Sequence, residues 1–366
     1  MAVHGGRRRE RPQGRIEYFW QDEGAGMALR DSHVTMAHGG GGRAMRDLID
    51  VVFTSVFQPP GMEDQARLMD AALQEPGARL AFTTDGFVVS PLEFPGGDIG
   101  KLAVCGTIND LAVGGARPLW LSAGFIIEEG CDITLLRRIV ASMAQEAAAA
   151  GVRIVTGDTK VVERGAADGV FITTSGIGVI APGLDLNARQ IQAGDAIIVN
   201  GSLGDHGAVI MASRGNFALE TDLTSDCAAL HDVMSAALQA APDLRAARDC
   251  TRGGLASSLN ELALEAGLGM VLEETKVPLR AEVRGLCEIL GLDPLYLANE
   301  GRLVLFAPIA QAQAILAAIK ALPEGSGAAI IGEVVDIHPG QVRMRSGFGG
   351  SRIVDMLIGD QLPRIC

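Results

Sequence analysis

The chain has 366 residues, 48% of them hydrophobic, and a formal net charge of −13. That length suggests about two domains, and aromatics at only 4% make their cores aliphatic. The acidic balance leaves no electrostatic footprint for nucleic acid, and no apolar stretch approaches the ~20 residues of a membrane span, so a soluble cytoplasmic protein is expected.

Residues 1–32 read as a polar, irregular extension without the apolar core of a signal peptide, its basic run Arg7-Arg8-Arg9 offset by Glu10. A short strand is expected at His33-Val34-Thr35-Met36. His38 and the tetraglycine 39–42 follow, then a helix with Met45, Leu48, Ile49 and Val52 on one stripe. The pattern predicts a strand over 79–89, ended by Pro91, and a helix over 101–113 closed by the glycines of GGARP. A buried strand follows at 119–127. Asp132 caps a helix over 133–150, with Gly151 as its C′ residue, and strands are expected at 152–158 and 169–180.

Ala181-Pro182-Gly183 reads as a linker to a second set of elements. These are a strand at 195–201, a helix from 206, a long helical region near 226–240, an amphipathic helix at 255–267, a strand at 302–308, a helix near 310–321 and a strand at 328–337. Strands and helices alternate in both halves, which predicts two layered α/β (α+β) domains, over 33–183 and 184–340. Residues 341–366 read as a flexible tail containing Gly347, Gly349, Gly350 and Gly359, with part of the apolar stretch 353–358 docked.

The six cysteines are scattered, with no CxxC pair and no Cys/His cluster, which excludes a disulfide framework and a zinc site. One of them, Cys366, ends the chain. Pro363 keeps that end out of helix, so an extended, accessible thiol is expected there.

The chemistry-bearing signal is a set of carboxylates beside glycines at strand ends. They are Asp85 in TTDG, Asp98 in GDIGK with Lys101, Asp110 after Asn109, Asp158 in GDTK with Thr159 and Lys160, Asp249 in DCTRGG with Arg252, and Glu300 in NEG. A single Asp-Gly pair marks a turn. Six such loops, several with Lys or Arg, point to a site for a nucleotide polyphosphate with Mg²⁺, which takes few protein carboxylates and the rest of its ligands from phosphate and water. No P-loop is present, because Gly100-Lys101 is followed by Leu102 and residue 95 is Pro. Gly176-x-Gly178-x-x-Ala181 runs into Pro182-Gly183 instead of a helix, which excludes a dinucleotide fingerprint. Gly40 and Gly41 fit either a backbone nest over phosphates or a hinge, and His38 either a ligand contact or a structural histidine.

The stretches MAHGGGGRAMRDLI, LAFTTDGFVVSPLEFPGGDIGKLAVCGTINDLAVGGARP, VTGDTKVV, GDHG, DCTRGGL, LANEGR, IGEV and DMLIGDQLPRIC together resemble the HypE family of hydrogenase-maturation carbamoyl dehydratases, from about residue 33 to 366. That family lies within the aminoimidazole ribonucleotide synthase and selenophosphate synthetase superfamily, whose members bind ATP without a P-loop. The resemblance implies a two-domain synthase-like fold and a homodimer whose N-terminal sheets join near the ATP site. It implies Asp64, Asp85, Asp110 and Asp249 on Mg²⁺ and polyphosphate. Asp98, Lys101, Asn109, Asp158, Thr159, Arg252, Gly40 and Gly41 would lie around ATP, with Lys160 and Glu300 as catalytic candidates. MEDQA around Asp64 departs from the relatives' Gly-Asp-Asp pattern. The resemblance further implies that Cys366 receives a carbamoyl group from a HypF-type carbamoyltransferase. ATP then drives its dehydration to a thiocyanate, and the cyano group passes to the iron of a [NiFe]-hydrogenase precursor on a HypC/HypD-type scaffold. One rival is another ATP enzyme of the superfamily, which would need a reactive Cys or a lysine pair where HGGGG stands. A second is a noncatalytic carrier using Cys366, which would have no need of the carboxylates.

Overall fold

The computed structural model describes residues 29, 31–60, 65–214 and 222–356. The expected strand at 33–36 is a single bridge, with Val34 exchanging backbone bonds with Gly130 and Cys131. The Thr35 N–H donates to Nδ1 of the buried His38 at 3.0 Å, which closes a 3₁₀ turn over Met36–Gly39 in place of a ladder. His38 is thus a structural histidine. Helix α1 (Arg43–Leu48) continues through a π-helical turn (Ile49–Thr54) into α2 (Ser55–Phe57), turning Leu48, Val52 and Phe53 inward.

The N-terminal layer comprises β1 (Arg79–Phe87), the small hairpin β2 (Glu93–Phe94) and β3 (Gly97–Asp98), α3 (Ile99–Val113), β4 (Ala116–Glu128), α4 (Ile133–Ala149), β5 (Arg153–Val162) and β6 (Val170–Ile180). Its main sheet has the order β1-β6-β4-β5, antiparallel except for β4–β5, which α4 connects as a crossover. Asp98 caps α3 and Asp132 caps α4 through side-chain oxygens. The helices pack so closely that a Cβ at Gly100 would lie 2.4 Å from the Ile139 carbonyl oxygen. All of α3 is buried except Lys101 and Asp110. A helix apolar all round must be enclosed on all sides, and α3 lies between the sheet, α4 and the C-terminal domain.

The second layer runs β7 (Asp195–Val199), α5 (Asp205–Ser213), α6 (His231–Ala240), β8 (Ala246–Asp249), α7 (Gly254–Ala266), β9 (Gly269–Glu273), α8 (Ala281–Leu290), β10 (Leu303–Pro308), α9 (Ile309–Lys320), β11 (Ala329–Val335), β12 (Val342–Arg345) and β13 (Ser351–Val354). Its sheet has the order β13-β12-β9-β11-β7-β10-β8. One face packs on α6 and α9, the other on α7, so β10 and, after Asp195, β7 are apolar. Two expectations are corrected here. Residues 342–354, expected in a flexible tail, are two strands of this sheet, because Val342, Met344 and Val354 turn inward with the α7 residues. Residues 226–230, expected to open a helical region near 226–240, have no regular structure, and the helix starts at His231.

That irregular segment joins the domains. Asn109 of α3 donates to the carbonyls of Ala228 (3.0 Å) and Glu300 (3.3 Å) and accepts from Leu230 N–H (2.7 Å). Ser225 N–H donates to Pro95, and Arg214 donates to Ser90 across the same seam. Replacing Asn109 by Ala leaves buried backbone groups unpaired, at roughly 1–3 kcal/mol each before relaxation. Asn109→Ala is therefore expected to lower unfolding free energy by about 2–4 kcal/mol in urea titrations; a loss below about 0.5 kcal/mol would show that the clamp is not structural.

Candidate functional site

Strand β1, helix α3, strand β8 and the loop at 299–301 bring carboxylates together at the domain junction. Asp85 lies opposite Thr174 within β1, two residues after Thr83 on the same strand face. Thr83 Oγ1 donates to Asp110 Oδ2 at 2.8 Å, fixing that carboxylate against β1. Burial pushes Asp110 up to about 6, with the charges of Asp249 and Asp85 adding to it despite the Thr83 bond. Asp249, the last residue of β8, is raised by burial too, and Asp85 again contributes. Glu300 is 2% exposed, and its Oε1 has no partner among the described residues. Burial first, then Cys227, Asp226, Asp249 and Asp85, raise it well above the usual carboxylate range. Its carboxyl therefore holds a proton more readily than a carboxylate in water.

The chain holds Glu300 in place by its backbone. Asp226 accepts from the N–H groups of Glu300 (3.3 Å) and Gly301 (3.1 Å), and Arg302 Nε lies 3.7 Å from the same carboxylate. A Cβ at Gly301 would lie 1.8 Å from the Asp226 carbonyl oxygen, so only glycine fits. Sequence reasoning missed Asp226 because its stretch reads as helix. It missed Thr83 as well, although strand alternation places Thr83 and Asp85 on one face.

The remaining predicted residues divide. Asp98 accepts from the Lys101 N–H and Ser142 Oγ, as a helix cap, and Asn109 is the clamp described above. Lys101 Nζ lies 3.6 Å from Glu146 Oε1. Arg252 is exposed just beyond β8. Asp158, Thr159 and Lys160 lie inside β5, which is longer than expected, at the opposite edge of the sheet from β1. Lys160 Nζ is 2.6 Å from Asp158 Oδ2, and this bond holds Asp158 below the usual range. Gly40 and Gly41 lie on an exposed turn next to this edge, with Gly39 against Val161. Gly41 has φ +75° and open space around it, as a nest or a hinge requires. Asp64 and Cys366 lie outside the described residues.

A cavity of about 460 Å³ lies beside β5, lined by Phe53, Phe57, Pro59, Pro60, Ile154 and Thr159, with Arg67 and Asp158 among its polar residues. Apolar walls with a few polar groups suit a planar heterocycle. Among the described residues, no three His, Cys, Asp or Glu side chains close to metal-ligand geometry. The carboxylates near β1 are nevertheless close enough to raise each other's affinity for protons, which a divalent cation bridged to phosphate oxygens would relieve.

Family models for AIR synthase related proteins match the chain twice, the N-terminal domain model over residues 63–180 and the C-terminal domain model over 192–345. The carbamoyl dehydratase HypE of Rhodobacter capsulatus is 72% identical over 340 residues, covering 93% of this chain and 100% of that protein. A crystal structure of the hydrogenase maturation protein HypE in complex with ATP superposes with a TM-score of 0.86 at 46% identity, covering 91% of this chain and 99% of that one. The HypE–HypF complex gives 0.74 at 43% identity, over 85% and 99%.

Asp110 sets a stability test. Folded, it keeps a proton that the unfolded chain has already released above pH 3.8, so its stabilising contribution is full below pH 3.8 and is lost as pH rises through about 6. Asp110→Asn should flatten that slope and stabilise the metal-free protein at pH 7 by about 1–2 kcal/mol, allowing for partial screening by water. Urea titrations between pH 4 and 8 measure this; parallel curves for the two proteins would exclude the shift.

Proposed function

The chain belongs to the HypE family of AIR synthase related proteins, and we propose on that premise that it is an ATP-dependent carbamoyl dehydratase acting on its own C-terminal thiol. A HypF-type carbamoyltransferase supplies the substrate, R–S–C(=O)NH₂ on Cys366. The product is the thiocyanate R–S–C≡N, whose cyano group passes to a HypC/HypD-type scaffold for the iron of a [NiFe]-hydrogenase.

An amide oxygen is a poor leaving group, and phosphorylation by ATP makes it a good one. The carbamoyl oxygen attacks the γ-phosphorus and ADP leaves. Nitrogen then loses two protons in all as the C–O bond breaks and phosphate departs, carrying away the oxygen. Mg²⁺ would neutralise polyphosphate charge when bound, and Asp85, Asp110 and Asp249 are the residues to hold it. The observation that carries this reading is their convergence with Glu300 at the domain junction. Glu300 is a base only once it is ionised, and cationic charge arriving beside it lowers its proton affinity. The cavity beside β5 suits the purine of ATP, with Gly40 and Gly41 towards the phosphates.

Lys160 is the candidate to neutralise charge on the transferred phosphoryl group, yet within one chain it lies across the sheet from Glu300. The sheet face opposite α3 leaves Leu80 (65% exposed), Phe82 (70%) and Ile126 (41%) uncovered. Two copies packing these faces would form the homodimer and could supply Lys160 to the partner's carboxylates. Exposed apolar area of this kind marks an interface.

Three outcomes test the reading. Incubation with carbamoyl phosphate, a cognate HypF-type enzyme and Mg-ATP should add one carbamoyl mass to the C-terminal peptide, and that adduct should lose one water only when ATP is hydrolysed. An unmodified Cys366 beside an active partner would refute the reading. Cys366→Ala should bind Mg-ATP normally and form no product, whereas Asp85→Asn should lose ATP hydrolysis with its fold intact. Finally, mixing inactive Lys160→Ala and Glu300→Ala subunits should restore roughly a quarter of wild-type turnover if the residues meet across the dimer; no restoration would place both in one subunit's site.

A further inference from the structure

The motif Gly204-Asp205-His206-Gly207 has no part in the chemistry above, yet all four of its residues bear on the segment that carries Glu300. The Gly204 N–H donates to Asn299 Oδ1 at 2.7 Å, and the Gly207 N–H donates to the Ala298 carbonyl at 3.0 Å. Glycine permits that approach, since a Cβ would lie 2.9 Å from Leu297 Cδ1 at Gly204 and 3.2 Å from the Ala298 nitrogen at Gly207. Asp205 and His206 are both 0% exposed and reach the same segment through intermediaries.

His206 Nδ1 lies 2.9 Å from Ser225 Oγ, which also accepts from the Cys227 N–H at 3.1 Å. Those two contacts bracket Asp226, whose carboxylate holds the N–H groups of Glu300 and Gly301. Asp205 Oδ2 accepts from the Ser202 hydroxyl at 2.8 Å, lies 3.0 Å from Arg280 Nε and stands 3.7 Å from Arg302 Nη2. Arg302 donates to the carbonyls of Ser202 and Gly301, both at 2.8 Å, and its Nε is 3.7 Å from Asp226 Oδ2. A single guanidinium is thus shared between two buried carboxylates.

We infer that this motif is the brace that positions Glu300 for proton removal, with Asp205 and His206 as positioning residues; the inference rests on the reading of Glu300 as the base. Asp205 draws on Arg302 and so leaves Asp226 to accept from the two N–H groups. Neutralising Asp205 gives Arg302 wholly to Asp226, and a bond between two charged groups is the stronger one. The Asp226 carboxylate then turns from amide bonds that are already long, at 3.3 and 3.1 Å, and the Glu300 backbone loosens. A base must lie within hydrogen-bond reach of its proton, and a displacement near 1 Å can cost about a hundredfold in rate. The residues proposed to hold Mg-ATP lie outside the motif, so turnover and nucleotide affinity should separate.

The test compares the full-length protein with its Asp205→Asn and Ser225→Ala variants by amide hydrogen exchange and by turnover. With Asp205→Asn, exchange in peptides covering 299–301 should rise by about tenfold or more, while peptides of α3 and β6 exchange as in the wild type. The rate of water loss from carbamoylated Cys366 should fall about tenfold, with Mg-ATP affinity within about twofold of wild type. Ser225→Ala is the smaller change and serves if Asp205→Asn fails to fold; it should move exchange and turnover the same way, by about threefold. His206→Asn, which keeps a hydrogen-bonding atom near the place of Nδ1, should retain more turnover than His206→Ala. Unchanged exchange at 299–301 would overturn the brace, and faster exchange with unchanged turnover would overturn its role in the reaction. Equal losses of turnover and Mg-ATP affinity would make the motif structural only. Wild-type turnover by Glu300→Gln would instead count against Glu300 as the base, while the exchange rates still decide the brace.

Discussion

Enclosure of α3 on every side is the constraint from which the rest of the structure follows. A solvent-facing helix needs only one apolar stripe, whereas α3 gives one side to the β1–β6–β4 sheet, another to α4 and another to the segment before α6. Both domains therefore share a single rigid element. The two residues of α3 that are only half-buried are Lys101, 3.6 Å from Glu146 of α4, and Asp110, which accepts from Thr83 of β1. Residues placed on such a helix are held in position by packing rather than by loops, which is what a site assembled from two domains requires.

Buried carboxylates at this seam are a burden to the fold. Asp110, Asp249 and Glu300 all bind protons more readily than in water, because burial and each other's charge disfavour ionisation. Structural acids in a core are normally paired with cations, as Asp205 is with Arg280 and Arg302. Among the described residues Glu300 has no such partner, and its Oε1 has no hydrogen bond either. A fold that keeps uncompensated acids beside a cleft sacrifices stability there, and functional sites are where such sacrifices concentrate.

Much of the architecture was legible from pattern alone. The caps at Asp132 and Gly151, the amphipathic face of 255–267 and the alternation of strands and helices are local signals, and local signals survive folding. The failures have physical causes. Residues 226–230 are apolar enough to read as helix, but the Ala228 carbonyl and the Leu230 N–H are claimed by Asn109 from the other domain. Strands β12 and β13 are short and glycine-flanked, and only pairing with β9 and packing on α7 make them strands. At the site, residue type was legible and location was not. Asp85 and Asp158 sit in similar Asp-Gly settings, yet they lie at opposite edges of one sheet, a difference that strand order alone decides.

That separation constrains how the proposed chemistry can be ordered. The carboxylates lie at the β1 edge, whereas the glycine turn, the cavity and Lys160 lie at the β5 edge, and the uncovered Leu80, Phe82 and Ile126 lie on the face between. A reaction needing both groups must either bridge a four-stranded sheet or borrow one edge from a second copy. The second route also accounts for apolar side chains that water would otherwise meet. At Glu300, whose burial and acidic neighbours favour the protonated form, positive charge arriving at the seam would favour loss of that proton. The cation that would release the proton accompanies ATP, so in the proposed mechanism the base would become available when nucleotide binds.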